Sequence, residues 1–108
     1  MTKPEDLPYS IAGRELISET SEMRIQILTL DPGEEIPWHY HSKVADTIIC
    51  LEGPMTVEIR PASGTKDIHP GETFSIIPKK AHRVIGKDDG GCRFIIVQAI
   101  GAHDFIPI

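Results

Sequence analysis

The chain is short of positive charge, of alanine, of cysteine and of long apolar runs, and each shortage excludes something. Acidic residues outnumber basic ones, 16 to 11, for a formal charge of −5. The densest basic spot is the pair Lys79–Lys80. With no Lys/Arg run to neutralise phosphates, no nucleic-acid partner is expected. The longest apolar stretches, such as FIIVQAIGA, fall short of a bilayer span, so no membrane partner is expected either. The N-terminal MTKPEDLPYS lacks the apolar core of a secretory leader, which predicts a cytoplasmic protein. Cys50 and Cys92 sit in strand-like runs and read as reduced, buried thiols. Scarce alanine against plentiful β-branched residues disfavours helices.

What is present fits one domain. Its 108 residues are 40% hydrophobic, enough for a single core and too few for two. Nine Gly and nine Pro imply frequent turns. Residues 1–22 read as an N-terminal arm and first strand, and residues 23–108 as the main body. MRIQILTL alternates, with Met23, Ile25, Ile27 and Thr29 on one face and Arg24, Gln26, Leu28 and Leu30 on the other. DPGE is turn chemistry. IPWHYHS, DTIICLEG, MTVEIRP, DIHPGE, TFSIIP, AHRVIG and CRFIIVQAI follow as strand-like runs, with KDDGG as a polar hairpin tip. A helix over SETSEMRIQIL is the local rival. The spacing of the runs predicts an all-β sandwich or barrel of about eight to ten strands.

The stretch PWHYHSKVAD carries the chemistry. In a strand, His39 and His41 point to the same side, while Trp38 and Tyr40 point to the other. Asp46 begins the next strand and could return beside the imidazoles, and His82 in AHRVIG could supply a third. Three neutral imidazoles with at most one carboxylate suit a divalent transition metal, with Fe, Mn, Ni or Zn all open. His69 and His103 stand alone and read as solvated or backbone-bonded.

GEEIPWHYHSKVADTIICLEG resembles the first motif of the cupin superfamily, G-x5-H-x-H-x4-E-x6-G, with Gly33, His39, His41 and Gly53 in register and Asp46 in the glutamate position. GETFSIIPKKAH resembles the second, G-x5-P-x-G-x2-H-x3-N, through Gly71 and His82. Pro78 falls one residue late, Lys79 stands where glycine is usual, and Gly86 stands where asparagine is usual. The resemblance implies a single jelly-roll β-barrel with a metal inside, held by His39, His41 and His82. Asp46, one methylene shorter than glutamate, is a fourth ligand, a group acting through water beside a three-histidine site, or a base.

Strand parity predicts the pocket. Asp46, Ile48 and Cys50 share a face, as do Met55, Val57 and Ile59, and as do Cys92, Phe94, Ile96 and Gln98. Cys50, Ile48, Met55, Val57, Phe94 and Gln98 are therefore expected around a small organic ligand. The leading function is a metal-dependent enzyme of Fe(II)-oxygenase type. A non-redox isomerase, epimerase or lyase and a non-catalytic ligand sensor are the alternatives. Trp38 and Tyr40, side by side on the outer face, are expected under a second subunit, under the N-terminal arm or against the chain's own strands. Many small cupins are dimers, so a homodimer is expected.

Overall fold

A computed structural model describes residues 7–60 and 64–108. Ten strands follow one another: β1 (Gly13–Thr20), β2 (Met23–Leu30), β3 (Glu35–Tyr40), β4 (Ala45–Glu52), β5 (Met55–Ile59), β6 (Gly64–Ile68), β7 (Thr73–Ile76), β8 (His82–Gly86), β9 (Cys92–Ala99) and β10 (Ile106–Pro107). A single 3-10 turn, Lys87–Asp89, is the helical element among the described residues. Among the described residues no helix is long and apolar enough to cross a membrane. SETSEMRIQIL is two strands and a turn, not a helix.

Two five-stranded antiparallel sheets form, ordered β1-β2-β9-β4-β7 and β10-β3-β8-β5-β6. Successive strands often change sheet. KDDGG is therefore not a hairpin tip: β8 lies in one sheet and β9 in the other, and the turn carries the chain across. The crossing explains Gly86. A Cβ there would lie 1.6 Å from the Gly90 carbonyl oxygen, so the tight turn leaves no room for the asparagine of the motif.

The register layers the interior. On the first sheet Arg24, Gln98 and Asp46 stand at one level, and Leu28, Phe94 and Cys50 at a deeper one. On the second, His39, His82 and Ile59 share a level, and Ile36, Val84 and Val57 the next. One end of the molecule is thus polar inside. The other is a packed apolar core in which Leu30, Cys50, Met55, Ile68 and Phe94 are all buried. These buried side chains pack into one apolar cluster that anchors the strands carrying the polar end.

Candidate metal centre

β3 delivers the first histidine through an irregularity. Ile36 pairs with Val84 and His39 with His82, so three steps on β3 match two on β8. The extra residue is a bulge at Pro37–Trp38, a place where proline's missing N–H breaks no ladder bond. The Pro37 carbonyl is left to accept a hydrogen bond from His39 Nδ1 at 2.7 Å. His41 lies just past the end of β3, and its Nδ1 donates to the Asp104 carbonyl. His82 opens β8, and its Nδ1 donates to the Lys80 carbonyl at 2.8 Å.

A carbonyl oxygen only accepts, so each Nδ1 carries its hydrogen and each Nε2 is the metal-competent nitrogen. The Nε2 atoms converge. His39 and His41 Nε2 are 3.2 Å apart, and Asp46 Oδ2 lies 3.0 Å from both His41 Nε2 and His82 Nε2. All four donor atoms fall within 4.8 Å of one another, on buried residues. Ligands about 2.1 Å from one ion and at right angles to each other would be about 3.0 Å apart. The spacing fits one divalent ion. A single divalent ion would satisfy all four donors together.

The Nε2 side of the cluster can instead carry hydrogens that bond Asp46 Oδ2, and a metal ion would take their place. Burial, then the nearby His82 and His41, pushes His39 down to about 3, so it stays a neutral ligand. Burial opposes a charge on His41, but the hydrogen bond and charge of Asp46 outweigh it and raise its pKa. Burial would likewise raise the Asp46 carboxyl, yet hydrogen bonds from His41 and His82 hold it well below the usual carboxylate range. Asp46 Oδ1 accepts from Gln98 Nε2 at 3.1 Å, so both carboxylate oxygens are fixed.

The cavity beside the centre differs from the pocket expected from parity. Gln98 does line it, with Ile36, Val84 and Ile96. Ile48, Cys50, Met55, Val57 and Phe94 do not: they belong to the packed core at the opposite end of the strands. Parity separates inside from outside but does not give depth along the barrel. The cavity walls instead carry polar groups, Arg24 and Gln26 from β2, Arg14 from β1, Tyr9 and His103. Arg24 and Gln26 share the buried face of β2 with Leu28 and Leu30, so parity held the signal for them. His103 is not solvated. It is buried, its ring 4.9 Å from that of His41, and burial, then the Arg24 and His41 charges, pushes it down to about 3. His69 is exposed at the surface and hydrogen-bonds Glu72.

Phe105 stacks on His39, with ring centroids 4.3 Å apart and planes 18° from parallel, and Tyr9 packs on Phe105 at 5.3 Å. With these rings in place the cavity is about 20 Å³, room for a water or so. On the far side of β3, Trp38 and Tyr40 are half-buried within the chain itself. The Arg60 guanidinium lies 3.9 Å over the Trp38 ring, and β10 pairs beside Tyr40.

A family model described as a cupin domain matches residues 26–98, about two thirds of the chain. The chain is similar to germin-like protein subfamily 1 member 1 of Arabidopsis thaliana, 29% identical over 83 residues, which are 72% of this chain. It spans 38% of that curated relative's length. Among solved structures it is similar to a conserved double-stranded beta-helix protein from Klebsiella pneumoniae, with TM-score 0.73 and 22% identity, covering 85% of this chain and 79% of that one. It is also similar to the oxalate decarboxylase of Lactobacillus farciminis, with TM-score 0.70 and 18% identity, covering 82% of this chain and 27% of that one. These structural likenesses show the fold, a double-stranded β-helix. The motif spacing, the two sheets and the family match agree, and the chain belongs to the cupin domain family.

Proposed function

We propose that this chain is a metal-dependent enzyme acting on a small organic molecule, with oxidation by O₂ at Fe(II) or Mn(II) as the leading chemistry. The observation that carries the reading is the convergence of three Nε2 atoms and Asp46 Oδ2 on one buried point. When bound, the metal supplies Lewis acidity and, for Fe or Mn, one-electron chemistry; four protein donors leave room on a six-coordinate ion for other ligands. The chain's residues do the rest. Pro37, Lys80 and Asp104 fix the three imidazoles through their carbonyls. Gln98 holds Asp46 in place. Phe105 and Tyr9 keep bulk water from the histidines. With both oxygens engaged, Asp46 serves as a ligand rather than as the base that the sequence left open.

The test is purification under anaerobic, reducing conditions, metal analysis, and oxygen uptake with a panel of small organic substrates. One equivalent of Fe or Mn and substrate-dependent oxygen uptake are expected. A His39→Ala/His41→Ala double variant that keeps full metal stoichiometry would end the site assignment. Turnover that needs no oxidant and proceeds equally with Zn(II) would place the chain among the isomerases or lyases.

The homodimer belongs to the same reading. Trp38 no longer argues for it, since Arg60 covers that ring. Edge strand β1 does, because it presents Leu16 and Ile17 at 56% and 50% exposure. Sedimentation equilibrium reads it: a wild type that remains monomeric at high concentration refutes the dimer. Two free, buried thiols fit a reducing cytoplasmic setting.

A further inference from the structure

The three imidazoles are not held in the same way. His39 Nδ1 donates to the Pro37 carbonyl and His82 Nδ1 to the Lys80 carbonyl, each two residues back on its own segment. His41 Nδ1 donates to the carbonyl of Asp104, 63 positions away. Residues 104–108 also touch the first histidine of the centre, since Phe105 stacks on His39. Their other anchors land on the same stretch of chain. The Asp104 carboxylate accepts from the Ser42 backbone N–H and hydroxyl. Ile106 and Pro107 pair with Tyr40 and His39, and the Ile108 N–H donates to the Trp38 carbonyl at 3.2 Å. The segment is thus fastened to residues 38–42, which carry two of the ligands.

The fastening is local and slight. β10 pairs over two residues, against eight for β2 with β9. Phe105 packs against the apolar core, but Ile108 is 65% exposed. A short ladder with few buried apolar side chains opens well before the fold does. Tyr9 packs on Phe105 at 5.3 Å and Phe105 on His39 at 4.3 Å, so Phe105 is the inner of the two rings. With both in place the cavity is about 20 Å³, and anything much larger than a water reaches the histidines only when this segment lifts. Lifting removes the acceptor that orients His41. Conversely, an ion on His41 Nε2 pins the ring with its Nδ1–H towards Asp104, an interaction the lifted segment lacks. An ion that makes this difference between the two positions favours the closed one, and closure strengthens its binding by the same factor.

We propose that residues 104–108 are a gate coupled to the metal: the segment lifts to admit a ligand to the centre, and an ion on His41 draws it closed. This rests on the metal-centre reading above and adds a regulation of that site. The metal is held best while the site is shut, and a ligand enters only through the state that holds it less well.

The experiment uses Co(II) as the metal probe. Its stoichiometry on wild type is measured first. Amide hydrogen exchange of residues 104–108 is then followed by mass spectrometry with and without cobalt, with β9 as the internal reference. In the metal-free protein the segment is expected to exchange faster than β9, and cobalt to slow it at least about fivefold. Stopped-flow mixing of the cobalt-loaded protein with imidazole or with thiocyanate, read in the visible spectrum, measures entry. Both probes are expected to level off at one shared limiting rate, that of opening, and Phe105→Ala to raise it about tenfold or more. A segment that exchanges as slowly as β9, or as fast with cobalt as without, overturns the proposal. So do entry rates that rise linearly with probe concentration, limiting rates that differ between the probes, Phe105→Ala entry as slow as in wild type, or no binding of either probe. Should Phe105→Ala fail to fold, the wild-type exchange and the two wild-type limiting rates decide. Wild type that takes up no cobalt overturns the metal reading and this one with it. One-to-one cobalt uptake with exchange unchanged overturns this one alone.

Discussion

The backbone N–H of Lys79 donates to the carbonyl of His41 at 2.7 Å, tying the turn before β8 to the segment after β3. Two histidines of the centre, His41 and His82, are thereby held by one turn. Lys79 adopts φ 68°, in the left-handed region, at the position where the cupin motif carries glycine. The backbone here takes a conformation that favours glycine, although the residue is lysine. A side chain at positive φ costs roughly 1–2 kcal/mol, partly offset because glycine frees the unfolded chain. Lys79→Gly is therefore expected to raise stability by up to about 1 kcal/mol in urea denaturation, with metal stoichiometry unchanged. A lower midpoint would show that Lys79 contributes something the backbone does not explain.

Asp46 makes a second departure from the motif that the structure absorbs. Its Oδ2 already reaches His41 and His82 at 3.0 Å, with the strand in regular register beside β9. Restoring the motif's glutamate adds a methylene at a site only 2% exposed. Overpacking of this kind costs about 1–3 kcal/mol. Asp46→Glu is expected to lower Tm and weaken Zn(II) binding, and Asp46→Asn to weaken Zn(II) by losing the charge while keeping the fold. Zn(II) titration and thermal melts of both variants check this. A glutamate variant that binds Zn(II) more tightly than wild type would show that the strand adjusts.

Burial, then the neighbouring Cys50, pushes the Cys92 thiol up to about 12. At pH 8 the native protein should therefore resist iodoacetamide at Cys92 and react only on unfolding. The folded state holds a proton that the unfolded thiol releases near pH 8.5 to 9, so this contribution to stability is complete below that range and is lost as pH rises towards 12. Cys92→Ser should flatten the alkaline fall in Tm. Rapid alkylation of native Cys92 at pH 8, read by mass spectrometry, would contradict the burial.

Much of this was legible in the sequence because strands write their faces in period two. MRIQILTL matches β2 end to end, and the H-x-H spacing placed His39 and His41 on the same side. Asp46 and His82 came from motif spacing, and both stand with them. Three things were not legible. The bulge at Pro37–Trp38 exists only in relation to β8, so no local pattern announces it. Arg24 lay on the right face, but its charge argued against an inward position that Gln98 makes tolerable. His103 and Phe105 come from a segment without periodicity, brought to the site by pairing of β10 with β3.

That C-terminal segment yields the last prediction. Asp104 holds it to the centre twice. Its carbonyl accepts from His41 Nδ1, and its carboxylate accepts from the Ser42 backbone N–H at 2.9 Å and from the Ser42 hydroxyl. Burial resists the charge, but the Ser42 hydrogen bonds keep the carboxyl low, so it remains an acceptor at neutral pH. Replacing the side chain leaves the carbonyl that orients His41 but removes what positions it. Asp104→Ala is expected to cost about 1–2 kcal/mol of stability and to weaken metal binding several-fold. Ser42→Ala, which keeps the backbone donor, should do roughly half as much. The two effects share one contact and should not add in the double variant. A double-mutant cycle on Zn(II) affinity measures this, and full additivity would mean that Asp104 and Ser42 support the site by separate routes.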